Sequence, residues 1–189
     1  IRINGAGGSE NITGPNLVTT MYGNEGDDTL IAGSANDIIV GGDGNDIIDG
    51  GAGIDALTGG IGNDVYLFDT NDVAGGGSIT EAPGEGTDVV AIVTTVDFSN
   101  MTAPSFNEIE QIRFAGANQT GTFTGSQLTG EVIDLTETVS GISHLIINVT
   151  SGSTVIFSSL TGLFGALAHF DQWTGPLGPR VLVHWPIVP

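Results

Sequence analysis

A nine-residue period runs from Gly23 to Leu67, and it confines this stretch to folds built by repeating one small unit. The units read GNEGDDTLI, AGSANDIIV, GGDGNDIID, GGAGIDALT and GGIGNDVYL. Asp28, Asp37, Asp46, Asp55 and Asp64 hold the sixth place, and Leu30, Ile39, Ile48, Leu57 and Tyr66 hold the eighth. Glycine fills most of the first, second and fourth places, among them Gly23, Gly26, Gly41, Gly44, Gly50, Gly53, Gly59 and Gly62. Each unit therefore joins a tight turn, a carboxylate and a core side chain.

The end of a unit, as in Asp37-Ile38-Ile39-Val40, is apolar and β-branched and suits a strand of about three residues. Its eighth-place side chain points inward and stacks on its counterparts. The Gly-rich half makes the turn, because glycine accepts positive φ and close backbone approach. Such turns leave several carbonyls facing one side, and the Asp adds a full negative charge beside them. Hard oxygen ligands of this kind suit Ca²⁺, which takes about six to eight oxygens. Mg²⁺ prefers a tighter octahedron and keeps its water. Zinc and copper fit poorly, since the repeat holds neither Cys nor His. Gly-Asn-Asp clusters also mark ordinary β-turns, but turn chemistry alone does not demand Asp and an apolar residue in step through every unit.

The pattern GGxGxDxUx resembles the calcium-binding nonapeptide of the repeats-in-toxin (RTX), or haemolysin-type, proteins. The resemblance implies an all-β fold: a parallel β-roll in which two nonapeptides make one coil, followed here by a β-rich extension or cap. Turns eighteen apart then stack, with each ion held between them by Asp side chains and turn carbonyls. Carried onto this chain, Asp28 pairs with Asp46, Asp37 with Asp55, and Asp46 with Asp64. That implies three complete Ca²⁺ sites, with half-sites at the ends. The match is fullest over Gly41–Leu67. In the second unit Ala32 and Ala35 replace the first and fourth glycines, so a strained and weaker Asp37 site is expected. Asn24 replaces the second glycine of the first unit, a place that Asn tolerates. Upstream, Gly8-Ser9-Glu10-Asn11-Ile12 reads as one decayed unit.

The expected organisation is a degenerate coil over 1–22, the calcium roll over 23–74, a β-rich extension or cap over 75–170 and a Pro-rich tail over 171–189. Within the extension, Gly84, Gly86 and Asp88 return to the second, fourth and sixth places before a strand at Val89–Val93. The stretch from Phe106 to Phe114 is similar to a segment found downstream of RTX arrays in large secreted proteins. Val132–Leu135, Leu145–Val149 and Val155–Phe157 read as further strands between polar turns. They extend the solenoid or cap it, since repeat folds need their open ends covered. Leu160, Leu163, Phe164 and Leu167 predict one short helix over Leu160–Phe170.

Charge narrows the function. The formal net charge is −19, with Arg2, Arg113 and Arg180 as the only permanent cations. Nucleic acid needs a basic footprint and anionic membranes a polybasic one, so neither is an expected partner. Fourteen of the 22 acidic residues lie between Gly23 and Asp88. Without cations they repel one another, so the repeat is expected to fold on binding calcium. Extracellular calcium modules work at about 10⁻⁴–10⁻³ M. There is no Cys, hence no disulfide, and no apolar run of about 20 residues that would span a membrane. The chain opens at Ile1 with neither Met nor a charged-then-apolar leader, as expected of a fragment or processed product. His144, His169 and His184 show no catalytic spacing, and neither H-E-x-x-H nor G-x-S-x-G is present. The expectation is a non-enzymatic, secreted, calcium-stabilised module of a surface layer, adhesin or self-assembling filament, whose partners are copies of itself or other surface components. The alternative is the export and folding domain of a type I-secreted exoenzyme or toxin.

Overall fold

The computed structural model describes residues 1–73, 76–128, 132–137, 144–148, 156–160, 169–175 and 178–184. Apart from two 3₁₀ turns, Phe98–Asn100 and Ala103–Phe106, the regular structure of these residues is all β. The chain winds as a solenoid, laying strands alternately on opposite sheets. One sheet holds β1 (Arg2–Asn4), β3 (Thr20–Glu25), β5 (Ile38–Asp43), β7 (Ala56–Ile61) and β9 (Ser78–Ile79), in that order. The facing sheet begins with β2 (Asn11–Thr13), β4 (Thr29–Ile31), β6 (Ile47–Asp49) and β8 (Val65–Phe68). It continues through β10 (Val89–Ile92), β12 (Gln111–Phe114), β14 (Val132–Glu137) and β16 (Ile156–Leu160). A third sheet carries β11 (Val96–Asp97), β13 (Thr120–Thr124) and β15 (His144–Asn148), then β18 (Gly178–His184) and β17 (His169–Gly175). Every pairing is parallel except those that β18 makes with β15 and β17.

Register follows the sequence period. Ile12, Leu30, Ile48 and Tyr66 pair in succession, then Val90 and Ile112. Across the core, Met21, Ile39, Leu57 and Ile79 form the matching column. Leu30, Ile39, Ile48 and Tyr66 are completely buried. Alternate residues of each short strand point inward and outward, so each buries one side, while Ile31, Ile38 and Ile47 stay exposed on the other. Stacking joins those small faces into one continuous core.

Past Phe68 the coil widens. Sixth-place partners stand 18 residues apart in the repeat, then 24 from Asp64 to Asp88 and 22 from Asp88 to Glu110. The added space is filled by aromatic rings. Phe98 stacks on Phe123 with centroids 4.6 Å apart and meets Phe68 and Phe106 edge-on at 5.1 and 5.6 Å. The expected extension is therefore more solenoid, with a different filling. The expected upstream coil is complete: Gly5, Gly8 and Glu10 take the first, fourth and sixth places, and β1 and β2 lie in register with the repeat.

At the far end one expectation falls mostly outside the described residues and one differs from what is observed. Leu160 ends β16, and His169 and Phe170 open β17; the rest of the expected helix, residues 161–168, lies outside the described residues. Much of the expected Pro-rich tail is β-structure, since β17 and β18 pair from His169↔His184 to Gly175↔Gly178.

Candidate metal centre

Two edges of turns flank the repeat coils. On the first, the turns Gly5–Glu10, Gly23–Asp28, Gly41–Asp46 and Gly59–Asp64 stack, and Asp88 continues the sixth-place column. The amide of each sixth residue donates to the carboxylate of the next coil. Glu10 donates to Asp28 Oδ1, Asp28 to Asp46 and Asp46 to Asp64, each at 2.7 Å. Asp64 donates to Asp88 Oδ1 at 2.9 Å, and Asp88 to Glu110 Oε2 at 2.7 Å. On the second edge Thr19 donates to Asp37 at 2.6 Å and Asp37 to Asp55 at 2.7 Å. The carboxylates are thereby pinned by their Oδ1 atoms, eighteen residues apart as the resemblance implied.

The other oxygen is what makes this a site. Oδ2 of Asp28, Asp37, Asp46, Asp55 and Asp64 is buried and has no hydrogen-bond partner. A buried polar atom without a partner carries a large desolvation penalty, far larger if charged. First-place glycines leave the space into which these oxygens point. A Cβ on Gly41 would collide with Asp46 Oδ2 and lie 2.6 Å from the Gly59 carbonyl oxygen. One on Gly23 would meet Asp28 Oδ2 and, at 2.5 Å, the Gly41 carbonyl oxygen. Gly50 repeats the arrangement with Asp55 Oδ2 at 2.8 Å, and Gly59 with Asp64 Oδ2. Each cradle thus gathers an orphaned carboxylate oxygen and, on the first edge, an oxygen from the next coil. This is the donor set of a hard cation, and the residues fit calcium. Among the described residues no three His, Cys, Asp or Glu side chains form a metal cluster, so backbone carbonyls must complete any such shell.

The fourth-place glycines serve the turn instead. Gly26, Gly44 and Gly62 have φ of 111°, 139° and 143°, and a Cβ on Gly44 would strike the Gly26 carbonyl. Asn24 takes φ of 84°, as expected of Asn. Ala35 does not take positive φ, because the only non-glycine residues that do are Asn24, Glu108 and Asn118 among those described. The expected backbone strain at Ala32 and Ala35 is therefore absent; the Ala32–Asp37 turn follows a different path and still buries Asp37.

Electrostatics show what these carboxylates lack. Burial raises the pKa of Asp55 and Asp64 to about 7, with Asp37 and Asp46 respectively adding like-charge repulsion. Burial also raises Asp46 and Asp88 above the usual carboxylate range. Asp72 and Glu81, both beyond the repeat, are pushed up to about 7 by the same desolvation. Charged forms here call for a counter-charge, and among the described residues no side-chain cation pairs with them.

Several residues of the site escaped the sequence reading. Glu10 takes the sixth place of the upstream turn, and Glu81 folds onto Gly59 and Gly60. A fifth-place ladder lies outside the carboxylates: Asn45 donates to Asp27 Oδ1 through its amide at 2.7 Å, and Asn63 to Asn45 Oδ1 at 2.9 Å. Thr87 then donates to Asn63 Oδ1 at 2.9 Å. Asp27, Asn45 and Asn63 do stand at the coil spacing, so that signal was available. The histidines share one register position, with His144 paired to His184 and His184 to His169; cross-strand register does not show in linear spacing.

The family model of the RTX calcium-binding nonapeptide repeat matches residues 22–57 and 41–72. This segment carries RTX calcium-binding repeats, a structural and calcium-binding module and not a catalytic fold. No curated protein and no solved structure matches the chain.

Proposed function

We propose that this chain is the calcium-stabilised β-roll module of a secreted extracellular structural protein, of the surface-layer, adhesin or filament kind. The supporting observation is the column of buried, partnerless Asp oxygens facing the cradles of the first-place glycines. Asp28 with Asp46, Asp46 with Asp64, and Asp37 with Asp55 are the pairs that would hold ions, with turn carbonyls around Gly23, Gly41 and Gly59 completing each shell. The cation supplies positive charge and accepts oxygen lone pairs. The chain's own contribution is placement: backbone amides pin Oδ1, glycines clear the cradle, and the aliphatic columns exclude water. Calcium at extracellular concentration would then keep the coils in register.

An extracellular location is supported by the repeat type and by the low affinity usual for such modules, about 10⁻⁴–10⁻³ M. No helix among the described residues is long and apolar enough to cross a membrane. Self-assembly is supported by the solenoid's open parallel strands, since unpaired strand edges template further pairing. Calcium can also bridge acidic faces of neighbouring copies.

Circular dichroism during a calcium titration, with a magnesium control and Asp46→Ala, tests the calcium step. A calcium-specific gain of β-structure, weakened in the variant, is expected; full β-structure in chelator, indifferent to calcium, would refute it. Light scattering across millimolar calcium tests assembly, and a monomer throughout would remove that part of the proposal.

A further inference from the structure

The last turn of the first edge departs from the others in a way that the repeat motif does not contain. Gly5, Gly23, Gly41 and Gly59 occupy the first place of successive coils. The register Leu57↔Ile79 puts Glu81 next in that column. The oxygens around this column follow one rule. A Cβ at Gly23 would meet Asp28 Oδ2 and the Gly41 carbonyl; at Gly41, Asp46 Oδ2 and the Gly59 carbonyl. At Gly59 it would meet Asp64 Oδ2 and, 2.6 Å away, Glu81 Oε1. The side chain of Glu81 thus stands where each earlier coil presents a backbone oxygen.

We propose that Asp64 and Glu81 form a terminal Ca²⁺ site, in which the Glu81 carboxylate replaces the carbonyl that the next repeat would have supplied. The proposal rests on the calcium reading above. Two observations carry it. Asp64 is fully buried and its Oδ2 has no partner, so an oxygen already faces the cradle and waits for a positive charge. Glu81 is held with its carboxylate toward the same point: Gly59 donates to Oε1 at 2.9 Å, and Tyr66 donates its hydroxyl to the same atom. Those donors orient Glu81 and leave Asp64 Oδ2 unsatisfied. Among the described residues no ion pair to Asp64 or Glu81 is seen, and Arg2 lies over the Tyr22 ring at 4.8 Å.

The site differs in kind from those before it. It takes the Glu81 carboxylate where they take a neutral carbonyl, and Asp88, next in the sixth-place column, adds negative charge next to Glu81. Greater ligand charge favours a divalent cation more strongly. It also ties the first residues after β9 to the last repeat turn, so calcium would fasten the junction of the two halves.

Equilibrium dialysis with calcium on the whole chain, wild type against Glu81→Gln, tests this. Gln keeps the size of Glu and its capacity to accept from Gly59. One bound ion fewer in Glu81→Gln, with the other ions retained, is the expected result. Unchanged ion number and affinity would overturn the proposal and leave Glu81 as a hydrogen-bonding plug. A wild type that binds no calcium would instead fail the underlying reading. Terbium supplies a second measurement if Glu81→Gln does not fold. It replaces calcium in oxygen sites and emits when excited through a nearby tyrosine. Tyr66→Phe retains every carboxylate, and loss of part of the calcium-displaceable emission is expected. Undiminished emission in that variant would count against an ion beside Glu81.

Discussion

The coils up to Phe68 and those after it share one winding rule and are held at their corners by different chemistry. In the first half the turns are Gly-rich, one oxygen of each buried repeat Asp has no partner, and the core is a narrow double column of mostly aliphatic residues. In the second half the corners close on side-chain amides. Gln127 donates to the Phe98 and Met101 carbonyls at 2.7 and 3.1 Å and accepts from the Thr124 amide at 2.7 Å. Four phenylalanines fill the wider coil. One half leaves its corners to an external charge, while the other completes them from its own chain. A solenoid can therefore change its means of support along its length without breaking strand register.

Calcium withdrawal should split the two halves most sharply. In chelator, amides of β3 to β8 are expected to exchange as an unfolded chain does, while those of β10 to β13 stay protected. Hydrogen exchange read by mass spectrometry checks this, and equal protection in both halves would erase the contrast. Acid should partly replace the ion. Asp55, Asp64 and Asp72 have folded-state pKa values of about 7 against an ordinary 3.8, and Glu81 about 7 against 4.5. Folding then takes up protons, so this contribution to calcium-free stability is complete below the ordinary values and is lost as pH rises through about 7. Lowering pH from about 8 to about 5 in chelator should restore β-structure to the repeat, and lowering it in calcium should weaken ion binding. A dichroism signal flat across that range would contradict the burial argument.

Phe98→Ala should cost about 3–5 kcal/mol whether or not calcium is present, because its ring packs on Phe68, Phe106 and Phe123, away from the calcium turns. Thermal melts at both conditions would show it, and a loss confined to the calcium-free protein would not fit. Gln127→Ala takes the side-chain partner from the Met101 carbonyl and the Thr124 amide, while the Phe98 carbonyl keeps the Met101 amide, for about 1–3 kcal/mol, again independent of calcium. Asp46→Asn should raise the calcium midpoint by about tenfold, equivalent to about 1.4 kcal/mol, and more than Asp28→Asn does, since Asp46 enters two pairs. Equal shifts in the two variants would undo the stacking assignment.

Much of the first half was legible because one residue type recurs at one place per turn. Asp46 and Asp64 announce their stacking through spacing alone. Glu10 was harder to see, being one methylene longer and surrounded by a weaker glycine pattern. Asp88 was visible as a motif remnant, but its place in the column depended on the lengthened turn from Glu81 to Asp88, which linear spacing cannot align. Glu81 was invisible for a related reason: it breaks the glycine rule at the very position where its side chain is used. In the second half, rings at Phe68, Phe98, Phe106 and Phe123 meet across coils of unequal length, so no period reveals them. Ala35 shows the opposite error. The pattern assigned it a backbone conformation from its neighbours in sequence, and the turn found another route.

The sixth-place ladder has a direction. Glu10 donates to Asp28, and every later amide donates toward the chain's end, while the fifth-place amides of Asn45 and Asn63 donate toward its beginning. The two ends of this ladder are therefore chemically unlike, as the two ends of an arrow are. At the Glu10 end, a copy arriving in the same orientation could continue the ladder, whereas a reversed copy would set the Glu10 carboxylate against its own twin. Contacts of that head-to-tail sort do not close into symmetric pairs and extend instead into rings or threads. The hydrogen bonds that index one coil on the next would thus also decide which way such a thread points.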